Sequence, residues 1–275
     1  MRKIINYICI IIQLSVFPVI AYSCYYFPIE EILTGINISN VSIELSNVTI
    51  PTDLIKAVIC LFFVIAYYKY ITSSNSEKLL FGGGSSYDDY PYWLYWIASN
   101  ILKYKYCRLM LVPVYMQYKL LLNNTFPVFL TGNNIDETQN ESNYPIEIED
   151  AIVDEINKDK SNNTLNLILI DTYEVKENQL PKNIFHQHSI FIRRSNKIDG
   201  TRKYNQNFVD QIKAQISKLD SSIDTINIYA NTNPKHNKMI VQNVFSLGQR
   251  SYIKNINVAL QEKKTFRFTN LYIVE

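Results

Sequence analysis

Hydrophobic positions are spread very unevenly along this chain. The stretch from Ile4 to Phe27 carries no charge; Asn6, Gln13 and Ser15 interrupt it, and Pro18 is placed to kink a helix. A second run, from Leu54 to Ile71, is apolar between Lys56 and Lys69. About 20 apolar residues in a helix cross a hydrocarbon core of roughly 30 Å. The first run is long enough, and the lysines flanking the second can reach the headgroups. Tyr22, Tyr25, Tyr26, Tyr67, Tyr68 and Tyr70 suit interfacial belts. A cleaved signal peptide would also fit Arg2, Lys3 and the Ala21-Tyr22-Ser23-Cys24 sequence. However, the first run exceeds the roughly 7–15 residues of a signal core, and a second run follows closely.

Residues 27–53 hold no Lys or Arg but do hold Glu30, Glu31, Glu44 and Asp53, whereas basic residues precede the first run and follow from Lys69. Hydropathy and the positive-inside rule therefore predict spans at about 4–27 and 54–71, an external loop over 28–53, and both termini in the cytoplasm. The loop repeats itself, Ser39–Ile43 against Ser46–Ile50, with the alternation of short strands.

Residues 72–143 read as a linker and an aromatic membrane-proximal segment. Gly82-Gly83-Gly84-Ser85-Ser86 has the composition of a flexible connection. Tyr92 to Tyr106 puts Trp93, Ile97, Ile101 and Tyr104 on one helical face, either in the membrane interface or against a soluble core. Arg108 to Leu122 is apolar but broken by Pro113, which predicts a buried or edge strand. Asn133 to Asn143 reads as a loop.

Residues 144–275 read as a cytoplasmic α/β domain. Pro145 is placed to start a helix, with Glu147, Glu149 and Asp150 in its first turns and Ile148, Ile152 and Ile156 on one face. Strands follow at Leu165–Ile170, Ser189–Arg194 and Thr225–Ala230. Phe208, Ile212, Ile216 and Leu219 mark an amphipathic helix. Pro234 to Leu247 is a helix capped by Gly248, and Ile253–Leu260 with Phe266–Val274 form a closing hairpin. This alternation predicts a Rossmann-like layered domain with a mainly parallel sheet, so the fold class is membrane-anchored α/β. No GxGxxG is present, and no dinucleotide or other cofactor is expected.

Charge and cysteines narrow the function classes. With 27 Lys+Arg against 25 Asp+Glu, the chain has no basic excess for direct nucleic-acid binding. Its 47% hydrophobic content excludes a disordered chain. Cys9, Cys24, Cys60 and Cys107 have neither metal-ligand nor disulfide-framework spacing.

In a parallel sheet, ligands gather at the carboxyl ends of strands. That edge would carry Asp171, Arg193 and Arg194, together with the turn Asn231-Thr232-Asn233-Pro234. Lys235, His236 and Lys238 open the helix after this turn. Asn231, Thr232, Lys235, His236, Arg193 and Arg194 are the candidate anion-binding residues. His186 and His188, with His236, fall short of the three or four convergent ligands that a metal needs. No arrangement of nucleophile and base is evident, so no catalytic residue is expected. Gln13 and Ser15 are the candidates for hydrogen bonds between membrane helices.

Two amino-terminal spans, a short outside loop and a small cytoplasmic α/β domain resemble the two-transmembrane effectors of bacterial anti-phage systems, foremost the transmembrane effectors of retrons. In addition, INIYANTNPKHNKMIVQNVFSLG, Ile226 to Gly248, is similar to the strand–loop–helix near the end of SAVED domains, which sense cyclic oligonucleotides. The resemblance implies a toxin held silent by a protein or ribonucleoprotein partner, which in a retron is the reverse transcriptase with its RNA/DNA product. On infection it would self-associate in membrane lipid, disrupt the membrane and arrest growth (abortive infection). The alternatives are a cyclic-nucleotide-gated membrane effector and a non-toxic membrane scaffold or receptor.

Overall fold

The computed structural model describes residues 2–26, 52–81, 87–132, 144–158, 163–245, 253–262 and 264–274. The external-loop repeat, the Gly82–Ser86 connection and the Asn133–Asn143 loop lie outside the described residues.

The two apolar runs are helices α1 (Arg2–Tyr25) and α2 (Thr52–Ser76). Both are long and apolar enough to cross a membrane, and only 6% of each apolar window is buried. They pack on each other, with Phe17 edge-on to Tyr67 at 5.1 Å between ring centroids. Ile10 of α1 and Ile71 of α2 enter the protein core, buried in the same cluster as Leu94 and Leu102.

The segment after α2 folds tightly. Helix α3 (Tyr92–Asn100) is followed by strand β1 (Tyr106–Arg108), a 3-10 turn at Leu109–Leu111, helix α4 (Val114–Leu122) and strand β2 (Val128–Leu130), which pairs in parallel with β1. The strand expected over Arg108–Leu122 is thus mostly helix. Pro113 stands at the N-cap of α4, where its missing N–H costs nothing. Five of the nine α4 residues are buried and the other four half-buried, so no exposed face sets off a helical stripe in its sequence. In α3 the buried face is Leu94, Tyr95, Ala98 and Ser99, whereas the predicted apolar face was built on Trp93 and Ile97. Trp93 is 54% and Trp96 46% exposed.

The main sheet has six strands. These are β3 (Ile152–Ile156), β4 (Thr164–Ile170), β5 (Ser189–Arg193), β6 (Thr225–Ala230), β7 (Asn255–Gln261) and β8 (Phe268–Ile273), in the order β3-β5-β4-β6-β7-β8. The four central strands are parallel and both edge strands are antiparallel, so the sheet is mixed. The β8 edge is the expected hairpin. The β3 edge replaces the helix predicted after Pro145, and Ile148 on that helix's supposed apolar face is 83% exposed. The acidic residues there that mimic a helix start include Glu147, whose carboxylate pairs with Arg194 and Lys203.

The strands alternate strictly between two faces. Leu165, Leu167 and Leu169 pack under helices α5 (Gln206–Ser217) and α6 (Pro234–Ile240), the latter continued by a π-helical turn, Val241–Phe245. Ile168 and Ile170 face the opposite side, covered by Leu180 and Ile184 from two 3-10 turns. That side also carries an amide ladder across three parallel strands. Asn257 donates to Asn227 at 2.9 Å, Asn227 to Asn166 at 3.2 Å, and Asn166 to Ser189 at 3.3 Å. Each of these pairs is in direct register.

Candidate functional site

Taken in chain order, the four parallel strands have the spatial order 2-1-3-4, so the connections reverse direction at β4. The crevice between the carboxyl ends of β4 and β6 is the topological switch point, where open α/β sheets hold ligands. Asp171 follows β4 and Asn231 follows β6, and the Asp171 N–H donates to Asn231 Oδ1 at 2.8 Å. Asn233 caps α6 by accepting from the His236 N–H at 2.9 Å, and Pro234 opens the helix.

Asp171 is fully buried and is the hub of this edge. Its Oδ2 accepts from Asn233 N–H at 2.8 Å, Asn233 Nδ2 at 2.9 Å and His236 Nδ1 at 2.7 Å. The Asn205 N–H donates to His236 Nε2 at 2.9 Å, so that nitrogen is an acceptor and the ring proton sits on Nδ1, aimed at Asp171. The other Asp171 oxygen lies 3.2 Å from Nε of Arg194, itself fully buried. Arg194 also meets Glu147 at 3.3 Å and Asp199 at 3.8 Å. Lys203 closes the circuit, 3.1 Å from Glu147 and 2.9 Å from Asp199. Hydrogen bonds from Thr201 and Lys203 hold the Asp199 carboxyl well below the usual carboxylate range.

These contacts show where the predicted anion-binding residues lie. Arg194 and His236 are committed inward and tie β4, β5, α5 and α6 together. Asn231 holds the Asp171 backbone and donates to the Tyr173 carbonyl, and Thr232 donates to Asn237. Arg193 points to the other face and pairs with Glu174. Lys235 lies over the Tyr204 ring, 4.4 Å from its centroid. His188 is at the opposite end of β5, bonded to Glu155 at 2.9 Å, so the histidines of the chain do not converge. Among the described residues, no group of three or more His, Cys, Asp or Glu side chains is arranged to hold a metal.

Beside the network is a cavity of about 470 Å³ that sequence reasoning missed. Its walls include Tyr87, Gln117, Tyr173, Arg202, Asn231 and Phe266. Phe266, in the β7–β8 turn, has φ +56°, a conformation that costs a bulky residue energy and is found disproportionately at functional positions. Gly200, at φ +79°, lies against the Tyr173 ring, with a hypothetical Cβ 3.6 Å from it. The cavity gathers residues from six separate stretches of chain, so no local motif announces it.

Gln117 joins this cavity to the membrane-proximal segment. It donates to the Leu109 and Val112 carbonyls at 3.0 and 2.8 Å and accepts from Asn237 at 2.8 Å. At the membrane end, Asn75 of α2 donates to Gln13 of α1 at 3.1 Å and to the Leu102 carbonyl at 3.0 Å, and Gln13 donates to Tyr104 at 3.3 Å. Ser15, expected to act with Gln13, donates instead to the Ile12 carbonyl of its own helix.

Two membrane-length helices are bonded into a mixed α/β domain that carries a cavity at its switch point, the build of a small domain tethered to a helix pair. The chain belongs to the SMODS- and Ubiquitin system-associated 2TM effector domain family, whose profile matches residues 2–274. It is thus a two-transmembrane effector domain of anti-phage signalling systems. No curated protein matches it. Among solved structures it is similar to the Acinetobacter baumannii Cap4 SAVED/CARF-domain containing receptor, determined with a cyclic trinucleotide, at 8% identity and a TM-score of 0.44. That match covers 65% of this chain and 40% of the receptor, so the chain spans well under half of the receptor's length.

Proposed function

We propose that this chain is a toxic effector of the bacterial inner membrane, with both termini cytoplasmic, that breaches the bilayer on infection and stops growth. The observation that carries this reading is the shared core. Ile10 and Ile71 of the helix pair are buried in the same cluster as the α3 residues and the Leu165–Leu167–Leu169 face of the sheet. A change in the domain's packing therefore reaches the cytoplasmic ends of both spans. A partner or ligand switches such a system only if it binds the two states with different affinity. The restraining partner would be a protein or a ribonucleoprotein, and a reverse transcriptase with its nucleic-acid product is the retron version. Released spans would then self-associate in the bilayer.

The test is membrane potential and viability during induced expression in bacteria, with a chain lacking residues 1–71 as control. Depolarisation that requires the spans supports the proposal. Full insertion with potential and growth intact leaves a scaffold or an effector still waiting for its signal.

The cavity favours a second reading, a nucleotide-gated effector. Tyr173 and Phe266 offer ring faces for base stacking, Asn231 and Gln117 bring amides, and Arg202 supplies a cation for phosphate. A volume of about 470 Å³ suits one nucleotide unit. A rise in the melting temperature of the full chain in detergent with cyclic oligonucleotides, lost in Arg202→Ala, would select this reading.

A further inference from the structure

The tryptophans of the chain number two, Trp93 and Trp96, and both project from α3, at 54% and 46% exposure. The opposite face of α3 is buried, so these rings are the outer face of a packed helix and not part of a loose segment. What lies around them is the first half of α1. Asn6 donates to the Tyr90 hydroxyl at 2.7 Å, Tyr7 stands edge-on to Tyr90 at 5.3 Å and lies 6.5 Å from Trp93, and Gln13 donates to Tyr104. Helix α3 and its flanks thus run beside α1 from Asn6 to Gln13. Along this same stretch of α1, Ile5, Ile8, Ile11 and Ile12 are 45–57% exposed, so apolar surface is open on α1 as well as on α3.

The length of α1 then fixes what must cover this surface. Beyond Gln13 the helix has only Leu14 to Tyr25, twelve residues that rise about 18 Å. A hydrocarbon core of roughly 30 Å needs some eight residues more. Counted over the described residues of α1, a full crossing takes in the stretch flanked by α3. Four polar groups along this stretch, Asn6, Gln13, Asn75 and the Leu102 carbonyl, are bonded within the protein, which lowers the cost of placing them beside lipid. Lys69, Lys103 and Lys105 are exposed near the Gln13–Tyr104 contact, where long cationic side chains can reach anionic headgroups.

We propose that α3 is a third membrane-contacting element, its Trp93–Trp96 face set into the cytoplasmic leaflet beside the first half of α1. The proposal rests on α1 and α2 being spans. It gives the cytoplasmic domain a direct grip on the lipid next to the helices it controls, since α3 packs on α4 and α4 carries Gln117. Tryptophan suits this place because its ring is apolar while its N–H can bond at the headgroup level.

Every tryptophan of the chain lies in α3, so tryptophan emission, excited beyond the absorption band of the 21 tyrosines, reports on that helix alone. The full chain is reconstituted into phosphatidylcholine–phosphatidylglycerol vesicles, one set having acyl chains brominated near the headgroup, and iodide is added to both sides of unbrominated vesicles. The expected result is loss of most of the emission to bromolipid and little to iodide. Quenching by iodide alone means the face is in water, and quenching by neither means that protein, such as a second copy, covers it; either overturns the proposal. Trp96→Phe, a change at an exposed position, leaves Trp93 as a single reporter and should keep the pattern. Extraction at alkaline pH separates the two levels of failure. A chain stripped from the vesicles refutes the spans and the proposal together, whereas a retained chain that escapes bromolipid refutes only the placement of α3.

Discussion

Asn75, in the last turn of α2, donates one hydrogen bond to Gln13 of α1 at 3.1 Å and a second to the Leu102 carbonyl at 3.0 Å. One amide thus joins both membrane helices to the segment that leads into the α/β domain. Asn75 is only 2% exposed, so these bonds have little water to replace them.

Gln13→Ala should lower the stability of the detergent-solubilised chain by about 1–3 kcal/mol, because it removes one of the two acceptors of the buried Asn75 amide. Ser15→Ala should change it by less than about 0.5 kcal/mol, since Ser15 bonds only within its own helix at an exposed position. Thermal unfolding of the two variants measures the contrast. At equal membrane level, Gln13→Ala should also depolarise cells less than the unmodified chain, and unchanged depolarisation would remove Gln13 from the mechanism.

The Asp171 network should behave as a buried ionic unit. Asp171→Asn leaves Arg194, with no exposed surface, to Glu147 at 3.3 Å and Asp199 at 3.8 Å, and should cost about 3–5 kcal/mol. Breaking the neighbouring Arg193–Glu174 pair with Arg193→Ala should cost under about 1 kcal/mol, because both side chains reach solvent. Urea titration of the two variants tests whether burial or mere pairing decides.

The amide ladder predicts a cost at Asn227. Leucine there strands the Asn166 acceptor and the Asn257 donor together, and should destabilise the chain by about 1–2 kcal/mol despite its higher hydrophobicity. Calorimetry that found Asn227→Leu more stable than the parent would show that the ladder is dispensable.

Acid sensitivity should trace in part to Glu155. Burial raises its carboxyl, but hydrogen bonds from His188 at 2.9 Å and Lys158 at 3.2 Å outweigh that and leave it below the ordinary value. A depressed folded-state value means the contribution is present above the unfolded value, near pH 4.3, and disappears as pH falls through the folded one. Glu155→Gln should therefore lose under about 1 kcal/mol near neutrality and nothing at pH values below the folded one. Parallel denaturation curves at about pH 6 and about pH 2 check the sign.

Several elements were legible because local chemistry alone specifies them. The two apolar runs needed only length and hydropathy. The amphipathic stripe Phe208–Ile212–Ile216 and the cap Asn233 before Pro234 marked α5 and α6, as the alternation of short apolar runs marked β4, β5 and β6. Position along the chain also placed Asp171, Arg194 and Asn231 at one sheet edge before any coordinates. Their roles were not legible, because whether a charged group faces a ligand or a counterion depends on residues far away in sequence.

The errors share that cause. Glu147 and its acidic neighbours resemble the first turn of a helix, but Glu147 is drawn to Arg194, and the strand that follows pairs with β5. The sequence Val114–Leu122 reads as a strand because burial on nearly all sides erases helical periodicity. Hydrophobicity alone leaves the Trp93–Ile97 face of α3 open between membrane interface and core, and only the packing of Leu94, Tyr95 and Ala98 shows that another face takes the core.

What the sequence by itself determined is the membrane pair, the α/β alternation and the polar residues at the carboxyl edge. These follow from period, length and capping, all properties of contiguous residues. Only the tertiary structure decided that the sheet is mixed, that Asp171, Arg194 and His236 face one another, that a cavity opens beside them, and that Asn75 bonds to Gln13. Each is a pairing between distant segments, set by packing and charge neutralisation in the folded chain, and no local stretch carries that information.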